Sequence, residues 1–294
     1  MHYLIKQLKQ LPENQQRQVL SEILSETTNS TSRLDKYVVS SMLDHVESAR
    51  DRLKNYGKFQ GLSSGYSSID QLTKGFVAGE LSVLAGKTSY GKTTLAINMA
   101  NRMALNGARV LFVTLEMTHA EITSRFMYLN NGETEDFAQV AANTIFQDND
   151  ELDWTDVDGL IANAKQQLNV DFVVIDHLHY FTRELDKVAE DLGRITKELK
   201  KNAVRHNLPI LLISHVRKTG KGEAATIDDL RGSSYIAQDA DIVLMVGRNP
   251  ANESDMNVRI EKNRNRGYDY NNNDAILIFD KTRITDKSDD PWNT

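Results

Sequence analysis

The stretch ELSVLAGKTSYGKTTLAINMANRMAL, Glu80 to Leu105, decides the fold. Its first seven residues form a short apolar run of strand length, and its last twelve repeat apolar residues at helical spacing. Between them, Gly86-Lys87-Thr88-Ser89-Tyr90-Gly91-Lys92-Thr93 fits G-x-x-x-x-G-K-[ST] without a mismatch. Strand, glycine-rich loop and helix in that order make a phosphate cradle. The glycines let backbone N–H groups turn toward phosphate oxygens, Lys92 reaches the β- and γ-phosphates, and the Thr93 hydroxyl can ligate Mg²⁺. The expected nucleotide-binding residues are Gly86, Lys87, Thr88, Ser89, Tyr90, Gly91, Lys92, Thr93 and Thr94.

Downstream, ARVLFVTLE, VDFVVID, LPILLISH and ADIVLMVG are further short apolar runs separated by helix-length segments. Strands apolar on both faces that alternate with helices predict an α/β fold, a mostly parallel sheet with flanking helices. Three of these runs end in a polar residue. Asp176 closes FVVID, where a carboxylate holds Mg²⁺ through a water. Glu116 closes RVLFVTLE, where a carboxylate orients and activates an attacking water. His215 closes PILLISH, beside the expected γ-phosphate, as a candidate sensor. Such a series belongs at the carboxyl ends of parallel strands. NVRIEKN and DAILIFDKTRI read as added strands, an antiparallel pair joined through Arg264–Asp274.

Outward from this core, the first fifty-odd residues read as helical. A Ser/Thr/Asn cluster at Thr27–Ser32 interrupts them. Leu34, Val38, Met42, Val46, Ala49 and Leu53 then form an apolar stripe that serves either its own chain or a neighbouring subunit. The expected division is a helical segment 1–58, an ATPase domain 59–286 and a polar tail 287–294.

Composition excludes several classes. The absence of cysteine rules out disulfides and thiolate metal sites, and suits a cytoplasmic protein. No apolar run reaches the roughly 18 residues of a membrane span. The N-terminus lacks a secretory signal. A net charge of −6 means that any grip on nucleic acid is local rather than spread over the surface.

AGKTSYGKTTLAINMA, the LEM after a strand, VVIDHL and DLRGSSYIAQDADIVLMVGRN together resemble the helicase domain of the DnaB family, as does GLSSGYSSIDQLTKGFVAGEL before the loop. The resemblance covers about Gly61 to Asp286. It implies a RecA-like core in a homo-hexameric ring that uses ATP or another NTP, with Mg²⁺, to travel along single-stranded DNA. His215 and SHVRKTGKG resemble phage primase–helicases and Twinkle-like helicases more than bacterial members. The family pattern matches Arg264 to an arginine finger and Lys262 to its companion, both reaching a neighbouring subunit. It matches Arg248 to a position against the base or ribose. It places DNA-tracking loops around Phe181–Lys187 and Val216–Arg231, with Arg217, Lys218, Lys221, Arg231, Gly232 and Ser233 as DNA-binding candidates. Gly220 and Gly222 allow close backbone approach to phosphates. A primase or a loader is an implied partner, although the portion before Gly61 has neither a primase domain nor the helical domain that binds one. Two other readings stay open: a RecA-fold ATPase without unwinding, recombinase-like or KaiC-like, and a nucleotide-gated module without hydrolysis.

Overall fold

The computed structural model describes residues 12, 42, 46–54, 58–147, 152–176, 188–216, 226–230, 236, 238–249, 252–264 and 274–287. The chain divides into two compact units, residues 1–54 and 55–294. In the first, helix α1 spans Val46–Lys54 and Met42 is exposed. Leu34 and Val38, the remaining upstream helix and the tail 288–294 lie outside the described residues, as do the side chains of Ala49 and Leu53.

The second unit opens with α2 (Ser67–Thr73) and is built on one sheet. Its strands are β1 (Leu81–Gly86), β2 (Val110–Thr114), β3 (Thr144–Phe146), β4 (Phe172–Asp176), β5 (Ile210–His215), β6 (Ile242–Asn249), β7 (Asn252–Asn263), β8 (Asp274–Asp280) and β9 (Arg283–Asp286). They lie in the order β3-β2-β4-β5-β1-β6-β7-β8-β9. All pairings from β3 to β6 are parallel, and those from β6 to β9 are antiparallel. The helices between strands are α3 (Lys92–Leu105), α4 (His119–Leu129), α5 (Glu135–Asn143), α6 (Val157–Leu168) and α7 (Val188–His206). The five predicted central strands and the antiparallel β7–β8 pair are present. DAILIFDKTRI forms two strands rather than one, because Lys281 turns at φ 52° and sends β9 back along β8. β3 was not foreseen.

Two apolar layers sandwich the sheet, and strand alternation assigns each side chain to one of them. Leu84, Phe112, Phe172, Val174, Leu211 and Ile213 pack with Ile69, Leu95, Met99, Ile122 and Phe126 from α2, α3 and α4. Leu81, Val83, Val173, Ile175, Ile210 and Leu212 pack on the other face with Ile161, Leu192, Ile195 and Leu199 from α6 and α7. Each such side chain contributes about 1.5–3 kcal/mol by leaving water. β1 lies centrally between β5 and β6, so the loop at its carboxyl end is held on a rigid rail.

Candidate nucleotide site

The phosphate loop leaves β1 at Gly86, where only glycine fits: a Cβ would stand 2.7 Å from the carbonyl oxygen of Val246 on β6. Ser89 adopts φ 66°, and Gly91 caps α3 at φ 90° without any side-chain cap. The first amides of α3 are therefore left to an outside acceptor, and the helix dipole favours an anion there. Lys92, 4% exposed, donates from Nζ to the Lys87 carbonyl at 3.0 Å and meets His215 Nδ1 at 3.1 Å. Burial draws its ammonium down to about 8, opposed by Asp176 and Glu116.

His215 reaches Lys92 because it sits directly opposite Gly86 across the β1–β5 ladder. Asp176 ends β4 and is 1% exposed, with no hydrogen bond closing on either carboxylate oxygen. Burial raises its pKa to about 6. The neighbouring Thr93 hydroxyl and the Lys92 and Arg125 cations moderate the shift, while Glu116 adds to it. An acid stripped of partners beside the Thr93 hydroxyl is a fit for a divalent cation, which would satisfy both oxygens. No cluster of three or more acids, histidines or cysteines occurs among the described residues. Mg²⁺ takes one or two protein groups, which Thr93 and Asp176 could supply, and completes its shell with phosphates and water.

Glu116 is not in its strand as expected. β2 stops at Thr114, and Glu116 stands in the bend beyond it. The strand ends there because the side chain of Gln147 replaces the next pairing residue. Its Oε1 accepts from the Thr114 N–H at 3.2 Å and its Nε2 donates to the Thr114 carbonyl. The Thr114 hydroxyl closes the turn, donating to the Met117 carbonyl at 3.0 Å and accepting from its N–H at 3.2 Å. Leu115 N–H bonds the Asp176 carbonyl at 3.0 Å, which ties the two acidic strand ends together.

These residues line a cleft of ≈ 270 Å³ formed by Thr88, Ser89, Gly91 to Thr94, Glu116, Met117, Arg125, His215 and Phe279. The volume falls just short of the usual small-molecule range. Arg248 and Phe279 form a wall where a base could lie. The guanidinium stacks 3.7 Å from the ring, and both approach Gly91.

Arg125, Phe279 and Gln147 were missed by sequence reasoning. None ends a strand or belongs to the loop motif. The only sequence signal was for Arg125, a cation one and a half turns into the helix after Glu116.

Lys262 and Arg264 lie elsewhere. β7 runs antiparallel to β6, so its end pairs with the start of β6, Asn263 opposite Ile242. That is the amino end of the parallel strands, separated from Gly86 by the length of β1, roughly 20 Å. Arg264 Nη1 contacts Asp241 Oδ1 at 3.3 Å and Nη2 donates to the Gln238 carbonyl. Lys262 Nζ donates to the Ala240 carbonyl at 2.6 Å. Arg259 pairs with Glu261 at 2.5 Å. Asp241 thus shares with Glu261 in balancing the cations of this strand end. The DNA-binding candidates Arg217, Lys218, Lys221, Arg231, Gly232 and Ser233, with Arg266 and Phe181–Lys187, lie outside the described residues. Among the described residues no helix is long and apolar enough to cross a membrane.

Comparison with known proteins gives the fold and the family. A replicative DNA helicase DnaB of Treponema pallidum is 26% identical over 80% of this chain and 58% of its own length. A probable replicative DNA helicase of Trieres chinensis is 29% identical over 66% of this chain and 50% of its own. The chain thus spans little more than half the length of these relatives. A separately solved ATPase domain superposes with TM-score 0.72 at 20% identity, covering 85% of this chain and 99% of that domain. A DnaB-like replicative helicase, solved in a study of its interactions with primase, gives TM-score 0.69 at 19% identity over 92% of this chain and 76% of its own. Residues 61–280, from the segment before α2 through the phosphate loop to β8, match the family described as the DnaB-like helicase C terminal domain, and the chain belongs to that family.

Proposed function

We propose that this chain is the motor of a ring-forming DNA helicase that hydrolyses ATP to travel 5′ to 3′ along single-stranded DNA and displace the complementary strand. The observation that carries the reading is one buried carboxylate at the carboxyl end of the sheet whose oxygens close no hydrogen bond. Asp176 lies buried without hydrogen bonds beside Lys92, Thr93 and Glu116.

In this reading the amides of α3 and Lys92 bind the triphosphate. Thr93 and Asp176 hold Mg²⁺, which would neutralise charge on the β- and γ-oxygens. Glu116, fixed by the Thr114–Met117 turn, orients the attacking water and accepts its proton. His215, bridged to Lys92, reports the γ-phosphate toward the segment after β5. Arg264 and Lys262 are at the wrong end of the sheet to serve their own cleft, which supports service to a neighbouring subunit. An arginine supplied in this way accelerates phosphoryl transfer by about 10³-fold or more. A ring of six copies would gather the local basic loops into one channel despite the acidic net charge, holding the strand by its phosphates. A primase, by analogy with the solved DnaB-like relative, and a loader are the proposed protein partners.

The test is strand displacement from a forked duplex with ATP and Mg²⁺, alongside electron-microscopic imaging with oligo-dT. Unwinding by six-membered rings is expected. ATPase stimulated by single strands without displacement would show instead a RecA-fold motor that does not unwind.

A further inference from the structure

Asp241 precedes β6 and is 2% exposed. Its Oδ2 accepts from the Leu81 N–H at 2.9 Å and from Lys200 Nζ at 2.6 Å. Its Oδ1 faces Arg264 Nη1 at 3.3 Å, and its carbonyl accepts from the Arg264 N–H at 2.8 Å. Lys200 already neutralises this carboxylate, so charge balance does not require a second cation. The contact with Arg264 is long, and the Arg264 side chain is 43% exposed. The guanidinium is therefore held by Asp241 and Gln238 while part of it faces outward. Lys262, held against the Ala240 and Gln238 carbonyls, reinforces this hold at a cost: burial and then Arg264 draw its ammonium below the usual range.

We propose that Asp241 is a positioning residue for Arg264, presenting the guanidinium to the nucleotide of the adjacent subunit. The proposal rests on the reading of Arg264 as a finger in trans. It adds a physical link, because the same carboxylate holds the first amide of β1, whose far end is the phosphate loop. Movement of Arg264 onto a neighbour's γ-phosphate thus pulls on the group that anchors its own loop strand.

The test uses the full chain as Asp241→Asn, which keeps an acceptor for Leu81 and loses the charge. Hydrolysis should fall roughly ten- to hundredfold, the size of one charge-assisted hydrogen bond, with KM for ATP little changed. Subunit mixing then locates the defect. Mixed with Glu116→Gln, the Asp241→Asn protein should regain activity, because intact Glu116 in one subunit meets an intact Asp241–Arg264 pair in the other. Mixed with Arg264→Ala, it should not. Failure of the first mixture, or recovery in the second, would overturn the proposal and place the effect of Asp241 in its own subunit. Glu116→Gln mixed with Arg264→Ala is the control: no recovery there removes the finger itself and the proposal with it. If Asp241→Asn does not fold, Lys200→Met decides. Hydrolysis within about twofold of wild type supports aiming of Arg264, and a loss as large as that predicted for Asp241→Asn means that only buried charge balance matters.

Discussion

The two ends of β1 treat buried charge in opposite ways. At the amino end, Asp241 is 2% exposed and takes hydrogen bonds from Leu81, Lys200 and Arg264. At the carboxyl end, Asp176 is as deeply buried, yet neither of its oxygens has a hydrogen-bond partner. A fold satisfies its buried polar groups unless a ligand will do so. The carboxyl end is therefore built for a ligand, and the amino end for holding its own side chains in place.

The largest effect that would break this contrast is loss of Lys92. Lys92→Ala removes the charge at the β- and γ-phosphates and should lower ATP hydrolysis at least about a thousandfold. Single-turnover assays check it, and near-normal turnover would remove the ligand-binding reading of that end.

The contrast sharpens in stability. Asp176 titrates near 6 in the folded protein against an ordinary 3.8. The folded state holds this proton more tightly than the unfolded state does. The resulting stabilisation is full below about 4 and is lost as pH rises through 6. Near neutrality the ionised group costs up to about 3 kcal/mol. Asp176→Asn should therefore raise the melting temperature of the nucleotide-free protein at pH 7.5 by several degrees while abolishing Mg²⁺-dependent hydrolysis. The gain should vanish near pH 4. Asp241→Asn should instead melt a few degrees lower. Destabilisation by both would mean that the two ends do not differ in kind.

How much of this was legible beforehand depended on contiguity. The phosphate loop is one unbroken run, and Asp176 and His215 end strands that are apolar on both faces, so periodicity alone located them. Glu116 lines the cleft, but its strand ends two residues early, at Thr114. The cause is Gln147, after a strand of only three residues that leaves no periodic signal. Arg125 and Phe279 reach the cleft from a helix interior and a distant strand, a convergence no local pattern encodes. Lys262 and Arg264 lie at and just beyond the end of NVRIEKN, where no motif marks them. Their assignment came from family resemblance, because Asp241 balances them only once β6 and β7 are paired.

Gln147 offers a middle-sized test. It is 3% exposed, and its amide bonds both backbone groups of Thr114. Gln147→Ala should loosen the turn that aims Glu116, lowering kcat roughly three- to tenfold with KM for ATP unchanged. A change in KM alone would show that the amide serves binding rather than aim.

The smallest expected effect lies at the rim, where the carboxyl end meets solvent. Arg248 stacks 3.7 Å over the Phe279 ring, and Phe279 lines the cleft while both approach Gly91. A base leaving the phosphate cleft has this wall to lie against, and stacking on an aromatic or guanidinium face tolerates every base because each has a π-face. Phe279→Ala removes the ring and the support that holds the Arg248 guanidinium flat. KM should rise about two- to threefold for ATP and GTP alike, with kcat unchanged, because the lost contact is equal in ground and transition states. Phe279→Tyr should behave as wild type. A larger penalty for one purine than for the other would assign the wall a hydrogen-bonding role in choosing the base. A fall in kcat would show that the ring also steadies the loop through Gly91, and the boundary between the ligand-binding carboxyl end and its solvent rim would then have to be drawn further out.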